Sequence, residues 1–285
     1  MSSSSDPVWS PDGVLDSHTG SLDGNHDRLY RGVIAGGRVL LRALQLTVRS
    51  SGQEHVPASG PVVLASNHVS FPDFVFVQQA LLTGPKRLVR FMCRHEIWDS
   101  PVGWAMDRMQ HIPVDREAPA AAYLRARRLL RDHEVVCVFP EGGISAAYVV
   151  RALMPGAVAL ARETGAPLVP VSVWGSQRLW PQKRELDAPF PRPDLARGRL
   201  VDVRFGEPMA VPPGADVREL TRELGRRLHE GLETLQRLPE HRPRPGEYAP
   251  WHPAHLGGHA VERSASFELD RMPRAAVAPV WGPST

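Results

Sequence analysis

Between residues 62 and 205, short apolar runs alternate with longer segments of helical pattern, and this alternation constrains the fold most. Residues 62–66, 135–139 and 168–174 are continuous or nearly continuous apolar runs of strand length. A run without polar alternation fits a strand covered on both faces, as in a sheet between helical layers. Residues 87–93, 111–114 and 200–205 read as further strands, and 72–82, 95–109, 118–132 and 153–164 as helices. The pattern predicts an α/β fold, a layered mixed sheet flanked by helices. A last helix starts at Asp216, with Glu219 placed for a capping box. Leu220, Leu224, Leu228, Leu232 and Leu235 line one of its faces. With 42% apolar residues in 285, the chain has material for such a core.

The flanks differ from this middle. Residues 1–25 are rich in Ser, Gly and Asp and read as disordered. Residues 26–54 carry Arg28, Arg31, Arg38, Arg42 and Arg49 in one narrow helical sector, with Tyr30, Val33, Ile34, Leu41, Leu44 and Val48 opposite. No acidic residue interrupts positions 28–49. The segment therefore predicts an N-terminal amphipathic membrane-surface helix on an anionic surface. Gly32, Gly36 and Gly37 weaken it by roughly 1 kcal/mol each relative to alanine. Residues 55–238 are expected to form the main folded domain, and 239–285 a Pro/His-rich irregular tail. His252, His255 and His259 in that tail come with no carboxylate or thiol set, so no metal site is expected.

Composition narrows the partners. A formal net charge of +3 gives no case for nucleic acid. Cys93 and Cys137 lie in apolar runs and read as buried thiols rather than a disulfide. No apolar run reaches the roughly 18 residues of a spanning helix, and no basic region leads into an apolar core as in a secretory signal.

Chemistry-bearing residues gather where the first apolar run ends. Asn67-His68-Val69-Ser70-Phe71-Pro72-Asp73 places a histidine and a carboxylate five positions apart. Pro72 fits the first turn of a helix, so His68 lies at a strand exit and Asp73 in the next helix's first turn. A strand–loop–helix bend can bring the two together. A carboxylate on one imidazole nitrogen fixes the tautomer and leaves the other nitrogen as a general base. Spacing alone does not decide the matter, because His18 and Asp23 repeat it with no strand before them. Glu141 also follows an expected strand. If the strands are parallel, His68 and Glu141 converge on one edge of the sheet, where open α/β folds bind ligands.

Asn67, His68, Ser70 and Asp73 together resemble the first block of the glycerolipid acyltransferase family, whose best-known members are 1-acyl-glycerol-3-phosphate acyltransferases. Ile112-Pro113-Val114-Asp115-Arg116 is similar to the second block, Phe139-Pro140-Glu141-Gly142 to the start of the third, and Leu168-Val169-Pro170-Val171 to the fourth. The resemblance implies transfer of a fatty acyl group from acyl-CoA or acyl carrier protein to the free hydroxyl of a lysophospholipid. With 1-acyl-glycerol-3-phosphate as acceptor the product is phosphatidic acid. No cofactor is implied beyond the acyl-CoA or acyl carrier protein co-substrate.

In that reading His68 is the base and Asp73 its orienting partner. Asn67, Ser70, Arg116, Glu141, Gly142 and Gly143 are expected to line the substrate. Arg116 would hold the acceptor's phosphate, backbone N–H groups near Gly142 and Gly143 the oxyanion, and Glu141 the acceptor hydroxyls or Arg116. Ser70 as a nucleophile is the rival, with no second histidine motif to activate it. The protein is expected to lie peripherally on the cytoplasmic face of the cell membrane, beside its lipid acceptor.

Two positions depart from the family pattern. The third block usually continues Thr-Arg-Ser, where this chain has Gly143-Ile144-Ser145, and a usual basic residue is Met154 here. Arg151 and Arg178 are the candidates to replace these charges. Without such replacement an ornithine- or sugar-bearing acceptor becomes the alternative, and a non-catalytic peripheral lipid-binding protein is the more distant one.

Overall fold

The computed structural model describes residues 24–183, 185–270 and 273–283. The expected disordered start, up to residue 23, and the His18–Asp23 pair lie outside the described residues. Seven strands form one sheet: β1 (Thr47–Ser51), β2 (Val62–Ser66), β3 (Val89–Arg94), β4 (Ile112–Val114), β5 (Val135–Val138), β6 (Leu168–Trp174) and β7 (Leu200–Phe205). Their order is β1-β7-β6-β2-β5-β3-β4. All neighbours are parallel except β6 and β7. Among the described residues six α-helices accompany them: α1 (Gly24–Ala43), α2 (Asp73–Thr83), α3 (Gly103–Arg108), α4 (Ala120–Arg131), α5 (Gly156–Thr164) and α6 (Val217–Gln236).

Burial on both faces explains the unbroken apolar runs. Every residue of β2 and β6 is buried. Val63 and Ala65 of β2 enter a core with α4, α5 and α6, whereas Val62 and Leu64 enter a second core with α2 on the opposite face. The expected mixed α/β sheet is therefore present, with β2 at its centre. The parallel pairing of β2 with both β5 and β6 brings three strand ends to one edge.

Several expected boundaries move. The helix expected over 95–109 is a 3-10 turn at His95–Ile97 followed by α3; Pro101 pushes its neighbour out of helical conformation. Leu153 is not helical but bridges to Val277, and α5 begins only after Pro155. Helix α1 ends at Ala43, so Val48 and Arg49 belong to β1 and not to an interfacial helix. Arg49 turns inward to a bidentate bond with Asp202, at 2.8 and 2.9 Å, and reaches Glu240 at 2.6 Å.

The segment past residue 238, expected to hold no regular element, contains 3-10 turns at Pro239–His241, Ala254–Leu256 and Arg263–Glu268. It packs closely on the body. The buried His241 pairs with Asp202 at 2.7 Å. Trp281 lies against Gly225, where any side chain would collide with its ring, and donates to the Val150 carbonyl at 3.1 Å. His252 faces the Gln236 carbonyl, His255 pairs with Glu233, and His259 accepts from the Ala249 amide. Among the described residues no three His, Cys, Asp or Glu side chains are placed to share a metal ion. Likewise, no described helix is long and apolar enough to cross a membrane.

Candidate active site

His68 lies two residues beyond the end of β2, and Asp73 opens α2 with Pro72 at its N-cap. The turn between them closes on one carboxylate oxygen. Asp73 Oδ2 accepts from His68 Nδ1 at 2.8 Å, from the Val69 amide at 2.8 Å and from the Ser70 amide at 2.9 Å. The other oxygen accepts from Ser176 Oγ at 2.5 Å. Asp73 is fully buried, and four donors satisfy a group that would otherwise be expensive to bury. Its bond to Nδ1 sets the histidine tautomer. Nε2 then has no protein partner among the described residues, and 19% of the side chain is exposed. The Phe139 ring stacks on the imidazole at 4.3 Å between centroids.

The neighbouring residues hold this turn in place. Asn67 donates to the Val173 carbonyl at 3.1 Å and accepts the Val173 amide at 2.6 Å, tying the end of β2 to β6. Ser70 Oγ faces the Ser176 and Trp180 carbonyls at 2.9 and 2.7 Å. Both side chains were expected on substrate. Both are buried, and their polar atoms are committed inside the protein. Ser70 as a nucleophile loses support for the same reason.

Glu141 is likewise not open to an acceptor. One oxygen accepts the His68 amide at 2.7 Å and the other the Arg151 amide at 2.8 Å. Burial pushes its pKa up to about 8, against the pull of these two amides and of the Arg151 charge. Its two oxygens fix the backbone of His68 and of Arg151.

Arg116 emerges beyond β4 and donates to the Gly142 carbonyl at 2.7 Å. It is exposed at the surface, although partial burial and the charges of Arg94 and Arg151 lower its guanidinium pKa. Gly142 has φ +65, a conformation glycine adopts without strain. Its N–H bonds to the Phe139 carbonyl at 3.0 Å and is not available to an oxyanion. The Gly143 N–H has no partner among the described residues and remains the donor candidate.

Residues 47–174, from β1 to the end of β6, match the acyltransferase family model. That stretch is similar to the acyltransferase family. Over 139 residues it is 32% identical to a chloroplast 1-acyl-sn-glycerol-3-phosphate acyltransferase of Brassica napus, covering 47% of this chain and 39% of that protein. The corresponding enzyme of Arabidopsis thaliana is 32% identical over 143 residues, covering 48% and 39%. The chain thus spans about two fifths of the length of these relatives. The crystal structure of the 1-acyl-sn-glycerophosphate acyltransferase PlsC from Thermotoga maritima shares the fold. Its TM-score is 0.60 at 22% identity, over 74% of this chain and 81% of that one.

The site uses residues that the sequence motifs did not single out. Ser176 binds the Asp73 carboxylate from 103 positions away. One signal could have found it: it follows β6 on the edge where His68 follows β2. Phe139 was noted only as part of a block, not as the ring under His68. Burial raises the thiol pKa of both Cys93 and Cys137, so neither is a ready nucleophile.

Proposed function

We propose that this chain is a membrane-surface O-acyltransferase that moves a fatty acyl group from acyl-CoA or acyl carrier protein to a lysophospholipid, with 1-acyl-glycerol-3-phosphate as the favoured acceptor. The carrying observation is the 2.8 Å bond from His68 Nδ1 to a buried, fully satisfied Asp73. It orients the ring with Nε2 left for chemistry. In the proposed step Nε2 takes the acceptor hydroxyl's proton as the oxygen attacks the thioester carbonyl carbon. The tetrahedral intermediate then collapses, the C–S bond breaks, and the imidazolium returns the proton to the leaving thiolate. No covalent acyl-enzyme forms. General-base assistance of this kind contributes about 10²–10⁴-fold in rate.

Helix α1 supports the membrane part of the reading. Tyr30, Ile34 and Leu41 pack inward. Val33, Val39 and Leu40 are exposed, beside the exposed Arg28, Arg31, Arg38 and Arg42. Exposed apolar side chains on one flank and a row of arginines on the other suit an anionic cytoplasmic leaflet, each arginine contributing about 1 kcal/mol.

The test is thiol release from palmitoyl- and oleoyl-CoA, with and without lysophosphatidic acid, for wild type and His68→Ala. Release that requires acceptor and is abolished in His68→Ala is expected. Equal release without acceptor would make the protein a hydrolase and overturn the reading. Ile144 and Met154, where basic residues are usual, favour a second reading with an ornithine- or sugar-bearing acceptor. Turnover of such lipids in preference to lysophosphatidic acid would select it.

A further inference from the structure

Of the four donors to Asp73, three come from the turn after β2 and one from the loop after β6. The three local donors all meet Oδ2. Oδ1 depends on the Ser176 hydroxyl alone, at 2.5 Å. Both residues are fully buried, so Oδ1 has no bulk solvent to fall back on. The contact is reciprocal. The Ser176 carbonyl faces the Ser70 hydroxyl at 2.9 Å, while the Ser70 amide donates to Oδ2 at 2.9 Å. Ser70, Asp73 and Ser176 thus close a ring of hydrogen bonds between the ends of two strands.

The turn that carries Ser176 has little freedom. Ser176 opens the 3-10 turn Ser176–Arg178. Gly175 before it has φ +101, and a Cβ there would collide with the Leu200 carbonyl. The Gly175 amide donates to Gln177 Oε1 at 2.8 Å. Gln177 Nε2 in turn donates to the Trp251 carbonyl at 3.2 Å. The Arg178 guanidinium lies over the Trp251 indole, 4.1 Å from the ring centroid. The two residues after Ser176 therefore both rest on one residue of the C-terminal segment. Ser176 and Trp251 lie outside residues 47–174, the stretch that matches the family model.

We propose that Ser176 is a positioning residue of the acyl transfer, holding Asp73 as the carboxylate that orients His68, and that Trp251 sets the turn from which it does so. The inference rests on the acyltransferase reading above and deepens it. Without the Ser176 hydroxyl, Oδ1 is a buried charged oxygen with no donor, a costly arrangement. The carboxylate relieves that cost by turning or by taking a proton. A protonated Asp73 donates to Nδ1 and forces the ring's own proton onto Nε2, where it blocks general-base chemistry. Ser176 acts through Asp73 and touches no substrate. Trp251 brings the C-terminal segment into the same chain of contacts.

The test compares wild type with Ser176→Ala, Ser176→Thr, Trp251→Ala and the Ser176→Ala/Trp251→Ala pair. In Ser176→Ala, kcat with acyl-CoA and lysophosphatidic acid should fall about 10- to 100-fold, the range for a hydrogen bond to a charged group. Both KM values should stay within about twofold. Ser176→Thr, which keeps the hydroxyl, should recover most of the rate. Histidine-selective ¹⁵N NMR reads the tautomer directly, with the His68 signals identified by their loss in His68→Ala. Wild type should carry the ring proton on Nδ1, and Ser176→Ala should move it in part to Nε2. An unchanged kcat in Ser176→Ala would overturn the proposal, as would a rate loss with the His68 tautomer unmoved. Trp251→Ala should show both effects more weakly and add little in the Ser176→Ala background. Additive losses would overturn the part assigned to Trp251. Should Ser176→Ala not fold, Trp251→Ala carries the same two readouts. If wild type turns over no acceptor, the acyltransferase reading fails separately, and the tautomer comparison still decides whether Ser176 sets the ring.

Discussion

The sheet edge at His68 and helix α1 treat their polar groups in opposite ways. At the edge, Asp73 accepts four hydrogen bonds, Asn67 makes two to one residue of β6, and Glu141 makes two to separate loops. On α1, Arg28, Arg31, Arg38 and Arg42 form no ion pair among the described residues, and Val33, Val39 and Leu40 face outward. In the first region each side chain's geometry is set by the protein. In the second, only the seam under Tyr30, Ile34 and Leu41 is set by the protein. A substitution in the first should therefore disturb fold and chemistry together, and one in the second should change only what the helix meets outside.

The largest effect is expected at Asp73. Asp73→Asn puts an amide N–H₂ against at least one existing donor, whichever way the group turns. Loss of the tautomer lock should lower kcat/KM by about 10²–10⁴-fold. Leaving buried donors unpaired should lower stability by about 1–3 kcal/mol. His68→Ala should match the rate loss with a smaller stability loss. Steady-state kinetics and urea denaturation on both variants check this, and Asp73→Asn activity within tenfold of wild type would remove its orienting role.

Asn67→Ala separates holding from reacting. It removes both bonds to Val173 and should cost about 1–3 kcal/mol, while kcat per folded molecule falls far less than in His68→Ala. A rate loss as deep as that of His68→Ala, with the denaturant midpoint unmoved, would return Asn67 to the substrate.

Titration tests the buried groups with opposite signs. Burial pushes Glu141 up to about 8 from 4.5. Across that interval the folded state binds the proton and the unfolded state does not, so its contribution to stability declines as pH rises and levels off above 8. His111 runs the other way. Burial, with Arg90 and Arg125 nearby, lowers it to about 3 from 6.5. There the unfolded chain takes the proton first, and stability is lost as pH falls below 6.5 toward 3. Denaturant midpoints across pH should show Glu141→Gln flattening the alkaline slope and His111→Phe flattening the acid one. Unchanged slopes in both would mean these groups titrate alike folded and unfolded.

Legibility in the sequence followed the same division between local and distant partners. The runs that became β2, β5 and β6 were visible because burial on both faces leaves no polar alternation. Strand β1 was not, because Thr47-Val48-Arg49-Ser50-Ser51 is an edge strand with no apolar run, and its arginine fits a helical row equally well. His68 and Asp73 were legible because their bond spans five positions. Asn67, Ser70 and Glu141 were legible as polar residues at that edge, but their partners inside the protein were not. A sequence shows that a polar residue is there, not that its bond ends 106 positions away at Val173 or Ser176. The pairing of His241 with Asp202 was invisible for the same reason, and the segment past residue 238, poor in apolar periodicity, read as an irregular tail.

The smallest effect on folding is expected on α1, and that smallness is informative. Reversing Arg28, Arg31, Arg38 and Arg42 to glutamate breaks no ion pair among the described residues. Only Arg42, in the last turn, opposes the helix dipole when reversed, a matter of about 0.3–1 kcal/mol. The helix stays tied to the body by Tyr30 Oη donating to the Val89 carbonyl at 2.9 Å and by Asp27 pairing with Arg90 at 3.1 Å. Thermal stability should therefore barely move. Binding to vesicles containing phosphatidylglycerol should nevertheless collapse, since roughly 1 kcal/mol per arginine is lost and repulsion replaces it. Val33→Ser with Leu40→Ser should weaken the same binding without altering its salt dependence, because it removes apolar area and no charge. Flotation of both variants at two salt concentrations separates the terms. Equal flotation of the charge-reversed variant and wild type would mean that α1 is a solvated surface helix. The contrast between the two regions would then be one of burial alone.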